Sequence, residues 1–159
     1  MTVLYFEDHA VGGKATLGSH SFTREAIVAF ARKFDPQPFH LDEAAAAASI
    51  FGGLCASGWH TVSAAMRQLV DYRAAARNAA AARGEPLPPL GLGAGVRDLH
   101  WLLPVRPDDV VTFTYEVQSK RVTRRPEWGL VAGRIVGVNQ DGREVCALTI
   151  LSLVARRPA

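Results

Sequence analysis

An acid and an imidazole stand five positions apart in Asp35-Pro36-Gln37-Pro38-Phe39-His40, and Ala56-Ser57-Gly58 follows after an alanine-rich run. A carboxylate beside an imidazole can move protons near neutral pH, because small changes in surroundings carry histidine across that range. Pro36 and Pro38 fix their own φ and push the residues before them out of the helical region. The hexapeptide is therefore expected as a stiff, extended loop that aims Asp35 and His40 into one space. A glycine that opens a helix can present its backbone N–H to an oxygen gaining charge. Gly58 thus completes a candidate proton-transfer site.

Each residue also has a plainer reading. Asp35 alone would be a helix C-terminal or turn aspartate, and His40 a loop histidine bonded to backbone. Asp42 and Ser57 read as helix caps. A nucleophilic Ser57 would need a base, for which His60 is a weak candidate. His60 reads instead as a helix-face residue near the pocket mouth, and Phe39, Phe51 and Trp59 as core or pocket wall. His40, His60, Asp35 and Asp42 match no familiar metal-ligand spacing. Gly91-Leu92-Gly93-Ala94-Gly95 is no nucleotide loop, since no helix follows and no Gly-Lys-Ser/Thr is present. Its glycines are expected to let a strand approach the helix closely.

The elements that must hold the site follow from capping and periodicity. Residues 2–8 suit a short strand or an ordered arm, and Lys14 to Phe22 a strand. Thr23 caps a helix with Glu25 in its first turn. Ile27, Phe30, Ala31 and Phe34 make its apolar face, and it stops at Asp35-Pro36. Asp42 caps a short alanine-rich helix from Glu43 to about Ser49, ended by Gly52-Gly53. Ser57 caps the longest helix, roughly Gly58 to Arg83. Val62, Ala65, Met66, Leu69 and Val70 form its expected buried stripe, while Ala64, Ala74, Ala75, Ala79 and Ala80 narrow the other side. A proline-rich loop, Gly84 to Pro89, separates it from four segments of period two. These are Gly91 to Leu103, Asp109 to Arg121, Trp128 to Asn139 and Glu144 to Ala155, with an Asp141-Gly142 hairpin turn joining the last pair.

About five strands and one long helix suggest an α+β fold in which an antiparallel sheet wraps the helix. The 159 residues suffice for a single domain, 1–159, with a sizeable core. Several late strands are apolar on both faces, as with Leu148, Ile150 and Val154 on one and Val145, Ala147, Leu151 and Leu153 on the other. One helix covers only one face, so a homodimer, or a dimer of dimers, is expected.

No apolar run reaches the roughly 18 residues of a membrane span. The first residues lack the basic start and apolar stretch of a signal peptide, so a cytoplasmic location is expected. Cys55 and Cys146 are too few and too scattered for a disulfide framework or a zinc site. A net charge of +3 without a long basic block argues against nucleic acid as partner. Lys120, Arg121, Arg124 and Arg125 make the one local basic cluster, which suits either a solvated strand end or a small anionic ligand.

The stretch Asp35 to Asp42, with Gly58 eighteen residues past His40, resembles the signature of MaoC-like dehydratases. That family includes the (R)-specific enoyl-CoA hydratases and has the hot-dog fold. Its motif reads Asp-x-Asn-Pro-x-His-x-Asp, then a small residue and Gly at the start of the central helix. Trp101 to Val105, followed by Pro107-Asp108-Asp109, resembles the family's entry into its third strand. The likeness spans nearly the whole chain. One residue departs: Gln37 stands where the family carries asparagine, which keeps the amide and lengthens its reach.

The resemblance implies a hydro-lyase that needs no cofactor or metal and acts on a coenzyme A or acyl-carrier-protein thioester. Water adds across a 2-enoyl double bond, or leaves a 3-hydroxyacyl thioester. Gly58 N–H would stabilise the thioester oxygen, and Asp35 and His40 would hold the water, with Asp35 favoured as base and His40 as proton donor to C2. Gln37, Pro38, Phe39 and Ser57 are expected to contact substrate, with Arg121 and Arg124 at the coenzyme phosphates. Two other functions compete: a hot-dog thioesterase with a carboxylate on the helix face or a facing loop, and a non-catalytic acyl-thioester-binding or assembly subunit whose chemistry was lost with the Gln37 change.

Overall fold

The computed structural model describes residues 5–158. One antiparallel sheet is built from β1 (Lys14–Phe22), β2 (Gly93–Trp101), β3 (Asp109–Val122), β4 (Trp128–Val138) and β5 (Glu144–Ala155). The strands lie in the order β1-β3-β4-β5-β2. Three helices precede the longest one: α1 (Arg24–Phe34), α2 (Pro38–Leu41) and α3 (Glu43–Ala47). The central helix, α4 (Gly58–Ala82), has 25 residues. This is the α+β arrangement expected from the sequence. Among the described residues, no helix is long and apolar enough to cross a membrane.

Local chemistry sets the boundaries. Thr23 accepts a hydrogen bond from Ala26 N at the start of α1, and Asp42 accepts one from Ala45 N at the start of α3. Val111, Phe113, Tyr115 and Val117 alternate inward along β3 and are all buried. Gly142 takes a positive φ of 76° in the β4–β5 hairpin, where Asn139 Oδ1 accepts from Asp141 N and Arg143 N.

Several expectations are corrected. The stretch after Asp35 is extended only as far as Gln37. Pro38 then opens the helical turn α2, with Gln37 at its N-cap. Proline suits the first helical position, because its missing N–H would be unpaired there anyway. At the N-terminus, Phe6–Asp8 is a 3-10 turn rather than a strand, and residues 2–4 of that expectation lie outside the described residues.

The buried face of α4 is also rotated from the expected stripe. Ala64, Ala65, Leu69 and Ala80 are buried, whereas Met66 and Val70 are 39% and 51% exposed. Ala64, Ala65 and Leu69 face the core, while Ala74, Ala75 and Ala79, expected to narrow the other side, are exposed. Gly91 serves a different contact from the one expected. A Cβ there would fall 1.7 Å from the Leu153 carbonyl oxygen, so the close approach is to β5 and not to the helix.

The excess apolar surface of β5 is mostly covered within the one chain, since Val145 to Ile150 are all buried. Uncovered apolar surface lies elsewhere. Val96 and Trp101 on β2, and Trp59, Met66 and Val70 on α4, are each at least 39% exposed.

Candidate active site

Asp35 is the C-cap of α1, its N–H bonded to Ala31 O at 2.9 Å. His40 sits on α2 and is 5% exposed. The helix end and the proline-opened turn together bring His40 Nε2 to 3.5 Å from Asp35 Oδ2. The opposite ring nitrogen, Nδ1, lies 2.8 Å from the Cys55 carbonyl oxygen. A carbonyl only accepts, so Nδ1 carries a proton and Nε2 is the atom turned toward the acid.

Two groups donate to the carboxylate. Ser57 Oγ donates to Asp35 Oδ2 at 2.7 Å, and Gln37 Nε2 donates to Oδ1 at 2.8 Å. Burial is the largest single influence on Asp35 and pushes its pKa up. The bonds from Ser57 and Gln37, with His40 beside them, outweigh it, so the carboxyl is held below its usual range. Asp35 is thus an ionised acceptor near neutral pH.

Ser57 has a double attachment. Its hydroxyl donates to Asp35 and also accepts from Trp59 N at 3.2 Å, capping α4. The side chain is fully buried. Gly58, first residue of α4, has an N–H with no intrahelical acceptor, at the positive end of the helix dipole. A Cβ on Gly58 would fall 2.4 Å from the Trp101 indole, so glycine lets that ring lie against the helix terminus.

Asp35, Gln37, Phe39, His40 and Gly58 line one cavity of about 440 Å³. Its walls include Phe51, Trp59, Trp101, Leu103, Val105 and Val145. Cys55 also lines it, but burial raises the thiol pKa, against a smaller opposite effect of Arg106, so it stays protonated. Pro38 and Ser57 adjoin these residues in sequence without lining the cavity. Arg121 and Arg124 do not reach it either. They lie at and beyond the end of β3, far from Val105, and a coenzyme-phosphate contact from within the chain is not supported there.

His60 is corrected as well. It is 8% exposed, stacked on Phe30 with ring centroids 4.6 Å apart, and does not line the cavity. Burial, with His20 nearby, lowers its pKa to about 4, so it is neutral.

Two contributors were not read from the sequence. Arg106 donates to the carbonyls of Gly53 at 2.6 Å and Leu54 at 3.2 Å, and to that of Phe51. It ties down the segment that delivers Cys55 and Ser57. The signal was a loop of unpaired carbonyls between two helices, but nothing local named the distant donor. Trp101 was noted only as part of a strand entry, and its place over Gly58 depends on β2 pairing with β5.

Comparison with known proteins bears on the family and the fold. A family model described as "MaoC like domain" matches residues 10–134. A MaoC-like dehydratase from Rhodospirillum rubrum is 39% identical, with a TM-score of 0.82 over 99% of this chain and 100% of that one. The (R)-hydratase PhaJ1 of Pseudomonas aeruginosa is 25% identical, with a TM-score of 0.62 over 98% and 87%. The (R)-hydratase of A. caviae involved in PHA biosynthesis is 27% identical, with a TM-score of 0.60 over 94% and 97%. The sheet-around-helix architecture is therefore the hot-dog fold.

Proposed function

Because the chain belongs to the MaoC-like dehydratase family, a hydratase/dehydratase family, we propose that it adds water reversibly across the double bond of a 2-enoyl thioester. The observation that carries this reading is the ionised Asp35 carboxylate facing His40 Nε2 at 3.5 Å inside the cavity that Gly58 also lines. The substrate is an acyl thioester of coenzyme A or of an acyl carrier protein, its acyl part against Phe39, Phe51 and Trp101.

The thioester oxygen accepts from Gly58 N–H, which stabilises it as it becomes enolate-like. Water lies between Asp35 and His40. Asp35 takes a proton from it as the oxygen bonds to C3. His40 enters the step as the imidazolium, with Nδ1–H held on the Cys55 carbonyl and a second proton on Nε2, and gives the Nε2 proton to C2. Asp35 then holds one proton more and His40 one fewer, and transfer across the pair restores both. Dehydration runs the same steps backward. Gln37 and Ser57 keep the carboxylate in position and ionised, so these two act as positioning residues.

The thioesterase reading has less support, since the first carboxylate on α4 is Asp71, which pairs with Arg67 at 2.6 Å. The protein works as a homodimer in this account. A second copy would cover the open edge of β2, with its exposed Val96 and Trp101, and the exposed Trp59 on α4. Sedimentation equilibrium giving a monomer at micromolar concentration would count against that pairing.

A panel of 2-enoyl-CoA thioesters of increasing length tests the activity. Loss of enoyl absorbance with a product heavier by one water supports hydration. Release of free thiol supports the thioesterase, and binding without turnover supports the non-catalytic subunit.

A further inference from the structure

A second cavity of about 340 Å³ shares no lining residue with the first. It lies between the middle of α4, the strands and the segment that follows the proline-rich loop. Met66, Leu69, Val70, Leu90, Leu92 and Ile150 give it apolar walls. The charged residues that line it are Lys14, Arg73 and Arg77, all cationic, and no Asp or Glu lines it.

Arg73 and Arg77 stand four residues apart on α4, so they share a helix face. Arg73 Nη2 donates to Ser152 Oγ at 3.3 Å, and burial raises the Tyr115 pKa while the smaller effect of the Arg73 charge acts to lower it. Ser152 and Tyr115 are both buried, 4% and 8% exposed. Arg77 Nη1 donates to Pro88 O at 2.9 Å. These partners are neutral. Among the described residues, the arginines that pair with carboxylates are Arg24, Arg67, Arg83, Arg156 and Arg157. His9, also in the lining, adds no charge near neutrality, because burial and the nearby Arg73 and Lys120 lower its pKa to about 4. A guanidinium has five N–H donors in a fixed fork that matches a carboxylate. Half-buried positive charge with only neutral partners, at the wall of an apolar cavity, favours an anionic occupant.

We propose that this cavity binds an aliphatic chain ending in a carboxylate, with the chain along Met66 and Leu69 and the carboxylate on the Arg73 guanidinium. Its volume lies toward the lower end of the roughly 300–1,000 Å³ range of small-molecule sites. Two sources share that chemistry: a free fatty carboxylate, or the far end of an acyl thioester whose other end is at Gly58. Arg73 is fifteen residues along α4 from Gly58, about 22 Å at about 1.5 Å per residue, so the second source needs a long chain. The site stands whether or not the hydration reading does, because its first test is binding of a free ligand.

Decanoate and 1-decanol are titrated into the wild-type protein and into Arg73→Gln and Arg73→Lys by calorimetry. Decanoate is expected to bind wild type at least about 10-fold more tightly than decanol. Arg73→Gln removes that preference and keeps decanol binding, which shows the cavity intact, whereas Arg73→Lys keeps part of it. Equal affinity of the two ligands for wild type overturns the proposal, as does an undiminished preference in Arg73→Gln. A second arm compares long-chain 2-enoyl-CoA substrates with and without a terminal carboxylate. A KM increase in Arg73→Gln confined to the carboxylated substrate assigns the site to the acyl tail. An unchanged KM beside lost decanoate preference assigns it to a free carboxylate.

Discussion

Ser57 Oγ lies 2.7 Å from Asp35 Oδ2 while the same oxygen accepts from Trp59 N. One hydroxyl therefore joins the acid to the cap of the helix whose first residue, Gly58, lines the cavity. Stability and acidity are coupled through this side chain.

Replacing Ser57 with alanine should move both. Losing the cap costs about 0.5–2 kcal/mol of stability. Losing a hydrogen bond to the ionised carboxylate raises the Asp35 pKa, which the intact site holds below its usual range. The acid limb of kcat/KM for hydration should then shift to higher pH, with less effect near pH 8 than near pH 5. A pH–rate profile and a thermal melt on the same preparation check it, and an unmoved acid limb would mean that Ser57 only caps the helix.

Arg106 should matter without touching substrate. Arg106→Ala leaves the carbonyls of Phe51, Gly53 and Leu54 without their donor, at a cost of about 2–4 kcal/mol. Lysine cannot reproduce the fork, so Arg106→Lys should fall between alanine and wild type in denaturant midpoint. Because the segment carries Cys55, whose carbonyl holds His40, kcat should fall with stability while the acid limb stays in place.

His60 predicts a pH-dependent stability. Its folded pKa of about 4 lies below its ordinary 6.5, so between these values the unfolded chain binds more protons than the folded one. Stability should drop as pH falls through that window, by an amount on the order of 2–3 kcal/mol for this one group. His60→Phe keeps a ring on Phe30 and removes the titration, so its chemical denaturation midpoint should depend less on pH between 6.5 and 4. An equal slope in variant and wild type would contradict this.

Much of the fold was legible because its signals are local. Thr23, Asp42 and Ser57 each cap the helix assigned to them, and Val111 to Val117 alternate as a half-buried strand must. The site was legible through Asp35, His40 and Gly58 because prolines and a cap fix their local geometry. The misread features depend on long-range packing. Which face of α4 is buried is set by how the helix lies on the sheet, and hydrophobicity alone favoured Met66 and Val70. Arg106 reaches a segment about fifty residues away, beyond any spacing rule. Pro38 was a local signal read only one way, since proline both restrains the residue before it and starts helical turns well.

The central claim is that Asp35 and His40 together move the protons of hydration. Initial rates of hydration of crotonyl-CoA and a longer 2-enoyl-CoA by wild type, Asp35→Asn and His40→Ala test it most directly, with circular dichroism confirming the fold of each. The account predicts a kcat loss of about 10²–10⁴ in each variant, with thioester binding retained. Near-wild-type turnover by either variant would contradict it.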